Sequence, residues 1–237
     1  LIAPHGRANP FSLHLDSGKS GPSFGGVGGT FAVIADEHLV AGRGNDDTLF
    51  SSTASSARKF VSFSGRELVV TPKISILLRK TEVLALDRPR LNALRREQQN
   101  LAPRLKKKPR DKKAVARAAA IKVEIEECVL WRIAHVNDVS SAIVADDTVC
   151  LGRDGGVEFR THKKGTVTAK AKAAGRIVSM AVAEGQLITT TATGKILKTD
   201  RVARDIAQLD DCRSMLINNL AEPKYRRPQP QTMAFGI

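Results

Sequence analysis

Aromatic side chains are scarce in this chain of 237 residues: Phe, Tyr and Trp together make up 4%, with a single tryptophan, Trp131. Aromatics bury the most area per side chain, so a core without them is weaker and has to be built from aliphatic residues. Long apolar runs are also missing. None approaches the roughly 20 residues that a bilayer-spanning helix needs. No signal peptide is legible, and a chain that begins at Leu1 leaves an upstream leader open. The three cysteines, Cys128, Cys150 and Cys212, match no metal-ligand spacing, and an odd count does not suggest a disulfide framework. Cys150 stands where a strand needs an apolar residue and reads as a buried free thiol. Acidic residues are outnumbered, 24 against 38 basic ones, for a formal charge of +14.

What the chain does have is internal repetition. Ala142-Ile143-Val144 leads through the acidic turn Ala145-Asp146-Asp147 to Val149-Cys150-Leu151. About 38 residues later, Met180-Ala181-Val182 leads through Ala183-Glu184-Gly185 to Leu187-Ile188-Thr189. A glycine-bearing turn and another short strand follow each copy, Gly155-Gly156-Val157-Glu158-Phe159 and Thr193-Gly194-Lys195-Ile196-Leu197. Two earlier units fit more loosely. Phe31–Ile34 reaches Leu39–Gly42 through Ala35-Asp36-Glu37-His38, and Leu68–Val70 reaches Ile74–Leu78 through Thr71-Pro72-Lys73, continuing to Val83–Asp87. Short strands and tight turns recurring at roughly 40 residues are the mark of propeller blades. In chain order the second and third units, with turns at 71 and 145, lie nearly two periods apart, so one blade position carries an insertion or is split by one.

Between Asp87 and Trp131 the apolar period changes. Leu91, Leu94, Gln98, Leu101 and Leu105 are spaced by three and four, as are Ala114, Ala118, Ile121, Ile125 and Cys128. That spacing predicts two helices packed along a seam. Pro89 suits a helix start, Asp111 suits the N-cap of the second helix, and Pro103 should kink or end the first. The tip carries Arg104, Lys106, Lys107, Lys108, Arg110, Lys112 and Lys113, a candidate site for phosphate polymers or anionic lipid. No aromatic residue interleaves with these charges, so a stacking platform for single-stranded bases is absent.

The strand order and its punctuation resemble the pyrroloquinoline-quinone-like β-propeller repeat family, which includes quinoprotein dehydrogenases and the outer-membrane assembly lipoprotein of the β-barrel machinery. The carriers are Val83-Leu84-Ala85-Leu86-Asp87, the Leu13–Lys19 strand and turn, Val157–Arg160 followed by Lys164-Gly165, and Trp131 in the place of a blade-closing tryptophan. A narrower resemblance, covering most of residues 5–199, is to planctomycete-type envelope proteins whose propeller is interrupted by a charged helical hairpin. The resemblance implies a mainly β fold: a partial or incomplete β-propeller of short antiparallel strands with an inserted antiparallel helical hairpin. Its four or so units are fewer than a complete ring.

Signs of chemistry are thin. Quinoprotein dehydrogenases pair adjacent cysteines beside a calcium ion and a catalytic aspartate, and no adjacent cysteines occur here. Asp36, Asp46, Asp47, Asp146 and Asp147 fall in turns, where aspartate is expected for local backbone bonding. Gly25–Gly29 resembles a phosphate loop in composition but precedes a strand rather than a helix. His5, His14, His38, His135 and His162 show no ligand spacing. The expected organisation is propeller blades over 1–87 and 131–199, a basic hairpin over 88–130, and a helical or extended tail over 200–237. The expected role is a non-catalytic, protein-binding scaffold in the bacterial periplasm or envelope, with no catalytic residue, cofactor or metal. The alternatives are a quinoprotein-like oxidoreductase domain whose catalytic part lies elsewhere, and an anion- or nucleic-acid-binding module using the hairpin.

Overall fold

Strands β5 (His38–Gly42) and β9 (Ile74–Leu78) are buried at every position, so both of their faces are covered. That is why they read as unbroken apolar runs rather than as an alternating pattern. The computed structural model describes residues 1–5, 8–24, 31–42, 47–134, 138–183 and 185–199, and these form four antiparallel sheets. The first sheet holds β1 (Ile2–His5), β2 (Ala8–Leu13) and β3 (Ser20–Ser23). The second runs β4 (Phe31–Ala35), β5, β6 (Thr48–Thr53) and β7 (Lys59–Ser64), each strand beside the next. The third runs β8 (Glu67–Val70), β9, β10 (Glu82–Asp87) and β11 (Val129–Ala134) in the same serial order.

The fourth sheet holds β12 (Val139–Ala145), β13 (Thr148–Thr161), β14 (Val167–Ala183), β15 (Gln186–Thr191) and β16 (Ile196–Thr199). Fully extended, the 14 residues of β13 would span about 46 Å at ~3.3 Å each. Yet the His162 N–H donates to the Asp147 carbonyl at 2.8 Å, so the strand doubles back on itself. The reversal falls at Gly155 and Gly156, with φ of 82° and 155°. A side chain at Gly156 would run into the Ala171 carbonyl oxygen, which leaves glycine as the residue that fits. β14 pairs with the second limb of β13 through Val167–Arg176, then with β15 from Ile177 onward. The sheet is therefore a four-stranded ladder (β12, both limbs of β13, the first half of β14) continued by the long β14 into a three-stranded one with β15 and β16.

The first strands of these units, β4, β8, β12 and the second half of β14, contact one another in turn. The sheets thus succeed each other around a shared axis, as in a β-propeller. Side chains alternate across each strand, which feeds two different junctions from one strand. Leu77, Leu84 and Leu86 point toward the second sheet, where they meet Val40 and Leu49. Ile76, Leu78, Val83 and Ala85 point the other way and meet Val139, Val149 and Leu151 of the fourth. Phe24 closes on Leu39, Ala41 and Phe50 between the first and second sheets, and Phe159 joins Cys150, Val157, Ile177 and Leu187 within the fourth. Burying one such aliphatic side chain contributes on the order of 1.5–3 kcal/mol.

The insertion splits a sheet between its third and fourth strands without breaking the ladder. β10 and β11 pair from Glu82↔Ala134 to Leu86↔Val129, and the Asp87 N–H donates to the Cys128 carbonyl at 2.8 Å, closing the base of the hairpin. Helix α1 (Arg88–Lys107) starts on Asp87, whose carboxylate accepts the Arg90 N–H, and has Pro89 in its first turn. Helix α2 (Lys112–Glu126) starts on Asp111, which accepts the Ala114 N–H at 3.1 Å, as its sequence predicts. Of the two outcomes expected at Pro103, a kink or an end, the end does not occur: α1 continues through it to Lys107, without the hydrogen bond that an N–H at 103 would donate to the Gln99 carbonyl. Helix α2 ends at Glu126, and β11 has begun by Val129, a little before the expected boundary at 130. Leu94, Ile121 and Cys128 form the buried seam, flanked by Leu91, Leu101 and Ile125. Arg117 ties the helices, with Nε 2.7 Å from Glu97 Oε1 and Nη2 3.3 Å from Glu124 Oε2. The readings made for Gly25–Gly29, Asp46, His135, Cys212 and the 200–237 tail lie outside the described residues.

Candidate functional site

The hairpin tip gathers the seven basic residues singled out from sequence into one turn and its two flanking helix ends. Six of them, Lys106, Lys107, Lys108, Arg110, Lys112 and Lys113, are exposed, and no ion pair joins them to another described residue. Arg104 differs: its Nη2 lies 2.7 Å from Asp111 Oδ2, so much of its charge is already neutralised. The same contact, after the backbone hydrogen bond from Ala114, holds the Asp111 carboxyl below its ordinary range. Arg104, Lys106 and Lys107 stand in the last turn of α1, where cations favour the helix dipole. Lys112 and Lys113 open α2, where cations oppose it, and neither helix has an acid in its first turn. A tip selected for stability alone would carry acids at that end.

The outer face of α2 is equally unusual. Val115 and Val123 are 47% and 62% exposed, and Ala116, Ala119 and Ala120 beside them are exposed too. Spacing by four aligns 115, 119 and 123 on one stripe that faces away from α1.

Three of the turn aspartates, Asp36, Asp47 and Asp147, tie neighbouring segments together. Asp36, in a left-handed conformation (φ 55°) that aspartate tolerates, receives Arg88 Nε at 3.0 Å and Nη2 at 3.1 Å. Arg88 is 6% exposed and also donates to the Thr71 and Ile74 carbonyls and Ser75 Oγ. That network holds the Asp36 carboxyl below its usual range, the Arg88 hydrogen bond outweighing the effect of burial. Asp47 accepts Ser64 Oγ at 2.5 Å and the Lys80 N–H at 2.9 Å. Asp147 Oδ1 lies 2.9 Å from His162 Nδ1. Glu158, buried inside the fourth sheet, is pushed up by burial, but the Arg160 hydrogen bond and the Arg153 charge outweigh that and set it low. Burial drives the Cys150 thiol up to about 12. Among the described residues, no group of three or more His, Cys, Asp or Glu is placed to hold a metal.

Trp131 closes the junction between the third and fourth sheets. It is 9% exposed, and its Nε1–H donates to the His162 carbonyl at 2.7 Å. Gly165, with φ 65°, lies against its ring, and a Cβ there would come within 2.7 Å of it.

A feature that the sequence did not reveal sits one junction earlier. Between the second and third sheets, beneath α1, lies a cavity of about 170 Å³. Leucines from β8, β9, β10 and α1 line part of it beside other apolar side chains, together with His38, Arg88 and Arg95. His38 is 4% exposed and stacks on Phe60 with ring centroids 4.3 Å apart. Burial pulls its pKa below the ordinary histidine value, against the opposing pull of Asp36. No spacing rule links residues 38, 88 and 95. Only the placing of α1 across two sheets brings them together.

No protein-family model matches this chain, and no curated protein does. Solved structures do. A computationally designed protein, Ika8, aligns over 84% of this chain and 54% of its own at 14% identity and a TM-score of 0.57. BamB from Moraxella catarrhalis aligns over 81% and 52% at 13% identity and a TM-score of 0.51. A chain of a mitotic checkpoint complex aligns over 84% and 58% at 11% identity and a TM-score of 0.56. This chain spans about half the length of these structures. At such identities the likeness carries the propeller-type fold and nothing finer. Among the described residues, no helix is long and apolar enough to cross a membrane.

Proposed function

We propose that this chain is a propeller-type interaction scaffold of the bacterial envelope, with the helical hairpin as its protein-binding arm. The observation that carries this reading is the outer face of α2, where Val115 and Val123 face solvent above a tip of six uncompensated cations. An apolar stripe ending in a basic cluster suits a partner protein with an apolar patch flanked by acids. A nucleic acid would use the cations but not the valines. The likeness to BamB, an outer-membrane assembly propeller, supports the envelope setting and the role of scaffold.

Loops and projections on a rigid repeat scaffold are its expected binding surfaces. The experiment is site-specific photo-crosslinking from position 119, between the two valines, in the native envelope fraction. A discrete protein adduct is expected. It should disappear with Val115→Asp and Val123→Asp, and weaken at high salt as the tip charges are screened. Tight binding of generic duplex DNA at physiological salt, lost when Lys106, Lys107, Lys108, Lys112 and Lys113 become Gln, would move the function to nucleic acid. Saturable binding of the quinone with calcium would revive the oxidoreductase alternative.

A further inference from the structure

The cavity under α1 combines three properties that packing alone does not require. Its size matches a single ring: an apolar protein cavity on the order of 150 Å³ holds benzene, and this one measures about 170 Å³. Its wall is electropositive, with Arg79, Arg88, Arg95 and Arg132 set against one acid, Glu126. Three of these arginines are already committed, Arg79 and Arg132 to Glu82 and Arg88 to Asp36. Arg95 is not. Its partner is the neutral Gln98 Oε1 at 2.9 Å, and no carboxylate among the described residues pairs with it. Finally, the His38 Nδ1 is buried in the wall without a hydrogen-bond partner. A buried polar atom left unpaired costs about 1–3 kcal/mol, a penalty that an incoming hydroxyl removes, since a hydroxyl can donate or accept to either tautomer.

We propose that this cavity is a binding site for a ring-sized hydroxy-carboxylate, with its carboxylate on Arg95, its ring against the leucines and its hydroxyl on His38. The leucine wall recognises the ring through burial of its faces. Arg95 supplies a planar two-pronged donor matched to a carboxylate. Because α1 forms the lid over the cavity, an occupied site would also brace the hairpin against the second and third sheets. This site is separate from the outer face of α2 and from the tip.

The test uses 3- and 4-hydroxybenzoate as probes, with 4-hydroxybenzamide as the uncharged counterpart, titrated into the whole chain. Binding is followed by the His38 ring signals in NMR spectra and by calorimetry. At least one hydroxybenzoate should saturate, shifting the His38 resonances, and the amide should bind at least tenfold more weakly. Arg95→Gln, which retains helix propensity and whose fold is checked by circular dichroism, should weaken the carboxylate at least tenfold and leave the amide unchanged. Leu91→Trp, which fills the space, should abolish binding of both. Replacing the tip lysines by Gln should change nothing here, so loss of the partner-binding reading would leave this one standing. No shift of His38 up to about 10 mM of either acid would overturn the proposal. So would hydroxybenzoate binding that ignores Arg95→Gln.

Discussion

Two junctions between neighbouring sheets have been finished in opposite ways. Between the third and fourth sheets, Trp131 reaches across, donates to the His162 carbonyl and lies flat against Gly165. The side chains of β9, β10, β12 and β13 close around it. Between the second and third sheets the corresponding space has no tryptophan. Leucines line it, an arginine network ties its rim through Arg88 and Asp36, and about 170 Å³ stays empty beneath α1. The comparison teaches that the aromatic shortage is not spread evenly. The chain's one tryptophan fills one junction, and the helical insertion roofs the hollow one.

The sharpest way to break this contrast is Trp131→Ala. Removing a buried indole from a tightly packed junction should cost about 3–5 kcal/mol in urea unfolding, and a cost below about 1 kcal/mol would mean that the ring does not close it. Arg88→Met comes next. It removes a buried charge with at least four partners and takes away the Arg88 hydrogen bond to the Thr71 carbonyl, while the Ile74 carbonyl keeps the Thr71 N–H and Asp36 is half-exposed and recovers water. A loss of about 2 kcal/mol is expected, together with faster hydrogen exchange at the base of α1. Leu91→Phe, which adds volume at the hollow junction, should stabilise by about 0.5–1 kcal/mol, whereas an equal enlargement at the closed junction, Val149→Phe, should destabilise.

Smaller effects test the details. Lys112→Glu and Lys113→Glu replace cations at the start of α2 and should each raise stability by about 0.3–1 kcal/mol at low salt, read as a rise in Tm that fades as salt is added. The last concerns pH. His38 has a folded pKa lowered by burial. Its contribution is therefore present above the unfolded value near 6.5 and is lost as pH falls below that toward the folded pKa. Thermal melts between pH 7.5 and 5 should show a downward slope that His38→Phe flattens, and an unchanged slope in that variant would assign the acid sensitivity elsewhere.

Much of the architecture could be read from residues. Runs such as Ile74–Leu78 and Val83–Leu86, cut by acidic or glycine turns at near-constant spacing, leave few arrangements other than repeated small sheets. The three-and-four spacing from Leu91 onward marks the helical pair, and Asp111 its second start. At Pro103 the residue type predicted a kink or an end, and the helix runs on through it to Lys107. Among the described residues, Asp36, Asp47, Asp146 and Asp147 do fall in turns or bends, but their partners were not visible: Asp36 meets Arg88 across 52 residues, and local patterning carries no record of such pairings. The basic tip was legible as a run of charge. The exposed valines of α2 were not, because a helix pattern names a seam without saying which other face stays uncovered.

By itself, then, the order of residues determined the local elements: strand, turn, strand at a fixed period, one pair of helices set into a blade, and a cationic turn between them. These follow from backbone sterics and side-chain alternation, which act over a few residues. Tertiary structure alone decided which junction was filled and which was left hollow, that the insertion separates β10 from β11 while leaving them paired, and that His38, Arg88 and Arg95 share one wall. Those outcomes depend on how whole sheets face each other around an axis. A gap of one ring's volume arises from the sum of many side-chain shapes, and no short stretch of sequence encodes that sum.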